Sequence, residues 1–425
     1  MPRLRNGGDG LMRRTRGFVA GVLVVASVAL MAAPAHADTV RDSEYWLDSY
    51  GIRAAWNTTK GAGVTIAVID TGVDASVPEL QGAVISGTDF SGLGSPDGQT
   101  PVGPPDESGH GTMVASLAAG RGSGGDNGVI GVAPAATILP ISIGFGEGST
   151  TSDDQIAAAV RYATDAGADV INMSLTRNTL EWPTSWDDAF LYAMEHDVVI
   201  VAAAGNRGSG TTQVGAPATM PGVLTVAGVD ANGQASFDAS SQGITIGVAA
   251  PSEGLVGATP GGGHVIWNGT SGATPLVAGI VALVRAAHPG LDAANVIQRI
   301  VATARDAGTP GTDPIYGFGL VDAAAAVNSA TVPAVTENPM GSLAEWIKLY
   351  RRAASTPTPG PTRTATPEPP PITAAPVNPL GTVLPTVNLL RNVGIPFGLL
   401  LLVGVAAGLL ITRVVRAFRG PRETG

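Results

Sequence analysis

Three short segments set a reactive side chain among glycines. Val68-Ile69-Asp70-Thr71-Gly72-Val73 is an apolar run that ends in a carboxylate and a glycine turn. Gly109-His110-Gly111-Thr112 holds an imidazole between two residues that let neighbouring backbone come close. Asn268-Gly269-Thr270-Ser271-Gly272-Ala273-Thr274-Pro275 places a serine where an apolar helix opens. Each has a plain structural reading when taken alone: a turn aspartate, a structural histidine, an N-cap serine. The other histidines are His36 in the N-terminal leader, His196 and His288 near expected helix C-termini, and His264 in an expected loop. Taken together, the three segments supply what serine attack needs. A base takes the hydroxyl proton, a carboxylate orients the base, and donors receive the developing oxyanion. Ala202-Ala203-Ala204-Gly205-Asn206 ends a strand with an amide donor, and N–H groups at a helix start can add to it.

The elements that must position these groups alternate along the chain. Short apolar runs predict buried strands over Val64–Ile69, Thr137–Ile143, Val170–Leu175, Val198–Ala203, Leu224–Val229 and Ile244–Val248. Helical periodicity falls between them, over Asp153–Ala166, Ser185–His196, Ala273–Ala287 and Asn295–Ala304. Asp153 and Asp154 suit the N-terminal end of the first helix. Alternation of this kind predicts an α/β fold of three layers, a mainly parallel sheet covered on both faces, with right-handed crossovers. Asp70 and Asn206 then fall at or just beyond strand C-termini, where such sheets carry functional groups.

The ends of the 425-residue chain differ from its middle. Residues 1–17 are rich in arginine, Phe18 to Ala33 is apolar, and Ala35-His36-Ala37 follows, the layout of a cleavable secretory signal. Residues 356–379 hold nine prolines among 24 residues, an extended stalk of up to about 75 Å at polyproline rise. Val393 to Thr412 is a run of 20 uncharged residues, about one hydrocarbon thickness long as a helix. Arg413, Arg416, Arg419 and Arg422 follow it, which places the short tail in the cytoplasm and everything before the span outside. The expected organisation is therefore a signal peptide (1–37), an N-terminal extension (38–60), a catalytic domain (61–330), a juxtaposed helical segment with the stalk (331–392), a transmembrane helix (393–412) and a cytoplasmic tail (413–425). There are no cysteines, which excludes disulfides and thiolate metal sites. Between Asp38 and Ala330 there are 29 acidic and 10 basic residues, a balance of −19, so nucleic acid is not an expected partner. No cofactor or metal is expected, since the acidic stretch from Asp97 to Glu107 lacks calcium-ligand spacing.

In order, the VIDTGV, GHGT, AAGN and GTS-x-A-x-P motifs resemble the subtilisin family of serine proteases, which share the chain order Asp, His, Ser. Gly317-Phe318-Gly319-Leu320-Val321-Asp322 is similar to that family's domain-ending segment, and the resemblance covers about residues 45–330. It implies a subtilisin-like serine endopeptidase acting on protein or peptide substrates. Asp70 would orient the base, His110 act as base and acid, and Ser271 be the nucleophile. Asn206 and the Ser271 N–H would form the oxyanion hole, and Ser174, Leu175, Thr176 and Gly205 would border the substrate. Two departures stand out. Gly272 replaces a larger residue and is expected to loosen its turn, while Thr176 and Arg177 replace glycines and add bulk along the cleft. Asp70 lies only 32 positions after Asp38, too few for a folding pro-domain beside the lead-in Glu44–Trp56. With the stalk and anchor, this organisation resembles the mycosins, membrane proteases of type VII secretion, although mycobacterial members carry disulfides. That resemblance implies limited processing at a membrane secretion complex. A tethered housekeeping or nutritional protease and a structural subunit of such a complex are the alternatives.

Overall fold

The computed structural model describes residues 39–351, apart from 105–106, 125–126, 147 and 149. These lie in the first of two compact units, Met1–Ala353. The expected signal peptide, the Pro-rich stalk, the transmembrane segment and the tail lie outside the described residues.

Three one-turn helices open the described chain: α1 (Thr39–Asp42), α2 (Trp46–Ser49) and α3 (Ile52–Ala55). The strands β1 (Thr65–Asp70), β2 (Thr88–Asp89), β3 (Thr137–Ser142), β4 (Val170–Met173), β5 (Val199–Ala203), β6 (Leu224–Val229) and β7 (Ile246–Pro251) form one sheet in the order β2-β3-β1-β4-β5-β6-β7. Every pairing in it is parallel. Strands β4 to β7 are buried at every position, because helices cover both faces and no side-chain row meets water. The continuous apolar runs read from the sequence are the signature of that burial. Observed ends differ from expectation by three residues at most, as at the later end of β7, at Pro251 rather than Val248. The sheet begins at β1, extends one way to β3, and then resumes on the other side of β1 with β4. The C-terminal end of β1 is therefore a topological switch point, where diverging loops open a crevice. Asp70 is the last residue of that strand.

The helices between strands are α4 (His110–Ala119), α5 (Ser152–Asp165), α6 (Thr184–Glu195), α7 (Thr270–Ala287), α8 (Ala293–Ala302), α9 (Ala323–Asn328) and α10 (Leu343–Tyr350). Among the described residues α7 alone is long and apolar enough to cross a membrane, but 83% of it is buried inside the domain. It is a core helix, packed on β4 to β7 and on α4. That last contact brings the first turns of α4 and α7, with His110 and Ser271, to one side of the sheet.

The strands expected from the sequence do not include the antiparallel hairpin of β8 (Leu255–Thr259) and β9 (Gly263–Trp267). Its signal is Pro260-Gly261-Gly262 between two apolar runs. His264 was expected in a loop, yet it lies on β9, where its Nε2 meets Oε1 of buried Glu79 at 2.7 Å. The described residues before β1 pack against the core. Trp46 is fully buried, Tyr45 donates to the Glu253 carbonyl and the Trp56 indole to the Val132 carbonyl. A buried Tyr O–H or Trp N–H usually finds a partner, as those of Tyr45 and Trp56 do, whereas the Trp46 indole N–H has none among the described residues.

Candidate active site

Asp70 is buried at the end of β1, and Thr71 N–H donates to its Oδ1 at 2.7 Å. Both carboxylate oxygens face Nδ1 of His110, at 2.8 and 3.0 Å. An ionised carboxylate accepts only, so Nδ1 carries the proton and Nε2 is left with its lone pair. Two features hold His110 there. A Cβ on Gly111 would overlap the Gly72 carbonyl oxygen and come within 3.2 Å of Asp70 Cβ, so glycine permits the close approach of α4 to β1. Thr71 then clips the two together, its Oγ1 donating to the Ser108 carbonyl and accepting from Gly111 N–H. Burial pulls the imidazole toward its neutral form, but the Asp70 charge and hydrogen bond outweigh it, with Glu107 adding to them. The His110 pKa is raised above its ordinary 6.5.

Ser271 is the second residue of α7. Its Oγ donates to the Ser174 carbonyl at 3.1 Å in this resting arrangement rather than to His110. The same pair is tied in reverse, since Ser174 Oγ donates to the Ser271 carbonyl at 2.8 Å. Pro275 explains this second bond. It stands four residues after Ser271 and has no N–H, so the Ser271 carbonyl loses its helical partner. Ser174, just past β4, fills the gap, and its own Oγ accepts from Asn172 Nδ2 at 3.0 Å. The hydroxyl expected to border the substrate is thus committed to the backbone of Ser271.

Asn206 follows β5. Its Oδ1 accepts from both N–H and Oγ1 of Thr270, at 2.8 and 2.9 Å. With the carbonyl end of the amide taken up, Nδ2 is the end left to donate to a guest. Thr270 Oγ1 also accepts from Gly205 N–H at 3.1 Å, so one hydroxyl ties α7 to the Ala204-Gly205-Asn206 turn. Sequence reasoning passed over Thr71 and Thr270 as orienting groups, although both lie inside the motifs it used.

The expectation that Gly272 loosens its turn is corrected. A Cβ there would overlap Leu255 Cδ1 and approach the Trp267 ring at 3.3 Å. The hairpin side chains fill the space, and the Trp267 ring stands edge-on to His110 with centroids 5.6 Å apart. The Arg177 side chain is engaged by Asp153 at the start of α5, at 2.6 Å, and lies over the Trp186 ring. Of Thr176 and Arg177, Thr176 keeps its side chain beside Gly205, which Thr211 also borders. Leu175 is largely buried.

A sequence model of the subtilase (peptidase S8) family matches residues 61–319. The chain belongs to the subtilase family. It is 35% identical over 316 residues to fervidolysin of Fervidobacterium pennivorans, covering 67% of this chain and 44% of that one. It is 35% identical over 333 residues to Mycosin-3 of Mycobacterium tuberculosis, covering 64% of this chain and 69% of its relative. Among solved structures, MycP1 from the ESX-1 type VII secretion system aligns with a TM-score of 0.59 at 32% identity, over 70% of this chain and 88% of that one. The subtilase chain thus spans less than half the length of fervidolysin and about two thirds of Mycosin-3. Its mainly parallel seven-stranded sheet is the subtilisin-like fold.

Proposed function

We propose that this subtilase is a serine endopeptidase that hydrolyses peptide bonds through an acyl-enzyme on Ser271. The observation that carries the reading is the His110 ring, held through Nδ1 by buried Asp70 with Nε2 left as the base. In the reaction, a substrate entering the cleft draws Ser271 Oγ from the Ser174 carbonyl to the substrate carbonyl carbon. Nε2 of His110 takes the hydroxyl proton, and the Asp70 charge stabilises the imidazolium that results. The tetrahedral oxyanion accepts from Asn206 Nδ2 and from the Ser271 N–H at the start of α7. As the intermediate collapses, the C–N bond breaks and His110 returns its proton to the leaving amine. Water then attacks the ester by the same route in reverse, giving its proton to His110 and freeing the acid and Ser271.

We also infer that the domain works outside the cytoplasmic membrane, tethered by the Pro-rich stalk and residues 393–412, with residues 1–37 removed on export and the tail 413–425 cytoplasmic. On this reading 38–60 is the N-terminal extension, 61–330 the catalytic domain and 331–392 the juxtaposed segment with the stalk. Its role is limited processing in type VII secretion, supported by the similarity to Mycosin-3 and to MycP1. The test uses native membranes. A fluorophosphonate should label the full chain at Ser271 and lose that label in Ser271→Ala and in His110→Ala. The label should stay with the membrane pellet through alkaline carbonate washing. Labelling of the Ser271→Ala chain would refute the catalytic reading, and release by carbonate would refute the anchor.

A further inference from the structure

Glu79 is a buried carboxylate that the reaction above does not use. It sits on the short 3-10 turn Pro78–Leu80 with 1% of its surface exposed. Its Oε1 accepts from His264 Nε2 at 2.7 Å, and its Oε2 has no hydrogen-bond partner among the described residues. A carboxylate so buried depends on the side-chain partner it has. That partner stands on β9, which pairs with β8 alone among the described residues and leaves residues 263–266 exposed. The hairpin in turn covers the first turns of α4, the helix that carries the catalytic base. Ala258 N–H donates to Ser116 Oγ at 3.0 Å, and a Cβ on Gly109 would stand 3.0 Å from Pro260 Cδ. Gly261 N–H donates to Asp74 Oδ2 at 3.1 Å, while Asp74 N–H donates to Thr112 Oγ1 at 3.0 Å. At the far end of β9 the Trp267 ring stands edge-on to His110, and Ser271 follows four residues further on. One strand thus packs on the base and leads into the nucleophile.

Building on the proteolytic reading above, we propose that Glu79 and His264 latch β9 in place and so hold the Trp267 ring against His110, keeping the base in register with the nucleophile. Neither side chain touches the reacting atoms, so both are positioning residues that act through Trp267. The bonds from Nδ1 to Asp70 anchor one side of the imidazole but let the ring pivot about that anchor. Packing against Trp267 limits the pivot. Without His264 the buried Glu79 carboxylate would be stranded, and its relief is for the hairpin to move and admit water. A misplacement of about 1 Å at the reacting groups can cost on the order of 10²-fold in rate, so a small shift of the hairpin is enough.

The experiment uses the detergent-solubilised full chain and two readouts: the rate at which a fluorophosphonate labels Ser271, and amide hydrogen exchange in β8 and β9. His264→Ala should slow labelling by about tenfold or more and speed exchange in the hairpin, with exchange in β4 to β6 unchanged. His264→Gln, whose amide can still donate to Glu79 Oε1, should recover most of the rate. Trp267→Ala should also slow labelling, and adding His264→Ala to it should slow labelling no further, because the latch acts through that ring. Where His264→Ala alone does not fold, Glu79→Gln combined with His264→Ala carries the same test, since the bond is absent but no buried charge is stranded. Labelling as fast as wild type in folded His264→Ala overturns the inference and leaves the protease reading standing. Losses that multiply in the Trp267→Ala, His264→Ala chain overturn the route through Trp267. Loss of labelling in wild type would instead remove the protease reading on which the inference rests.

Discussion

Removing the Ser174 hydroxyl should cost stability in a way that depends on Pro275. In the native chain Ser174 Oγ donates to the Ser271 carbonyl, at 2.8 Å, because the residue four places on is proline. Ser174→Ala leaves that carbonyl without its partner in the domain interior, a loss of about 1–3 kcal/mol. It also strips Asn172 Nδ2 of its acceptor, a further cost of similar kind. In a Pro275→Ala background α7 regains the N–H that points at the Ser271 carbonyl, so only the Asn172 loss remains. The two costs of Ser174→Ala should therefore differ by about 1–2 kcal/mol, a factor of roughly 5–30 in the folding equilibrium. The Asn172 term and the unfolded-state effect of proline occur on both sides of the cycle and cancel. The assay is urea unfolding of the four chains, each carrying His110→Ala so that no self-cleavage intervenes. A Ser174→Ala cost that is the same in both backgrounds would refute the assignment of this bond as a replacement for the helical one.

Asn206→Ala should lower kcat by about 10²–10³ with a smaller change in KM, the loss of one oxyanion donor, as measured on a chromogenic peptide. Thr270→Val should lower kcat in the same direction, because it removes the hydroxyl that holds Asn206 Oδ1, and a rate equal to wild type would argue against that role. Activity should fall as His110 protonates, with the midpoint of the acid limb of kcat/KM above 6.5, since Asp70 raises its pKa. Only neutral imidazole accepts the serine proton, and a raised pKa brings protonation in at higher pH. Asp70→Asn should move that limb to lower pH as well as cutting the rate, and an unmoved midpoint would refute Asp70 as the cause. Gly272→Leu should cost about 1–3 kcal/mol in urea unfolding through overpacking against Leu255 and Trp267, whereas a merely loose turn would tolerate it.

How much of this was legible in the residues follows from the range of the forces involved. The buried strands, the main helices and the order Asp70, His110, Ser271 could be read directly. Burial on both faces writes itself as apolar runs, and reactive groups at sheet ends sit beside glycines that a close backbone needs. The α/β layering followed from the alternation alone. What the chain could not show was which distant groups meet. His264 looked like a loop residue because its partner Glu79 is 185 positions away. The Gly272 substitution looked like a defect because the Trp267 and Leu255 side chains that occupy its space are brought there by a hairpin, through long-range pairing. That the Ser174 hydroxyl satisfies the carbonyl freed by Pro275 is visible only once α7 packs on β4. Local sequence encodes periodicity, turn chemistry and propensity. The satisfaction of a buried polar group is a property of whatever the fold places within about 3 Å of it, and that the tertiary structure alone decides.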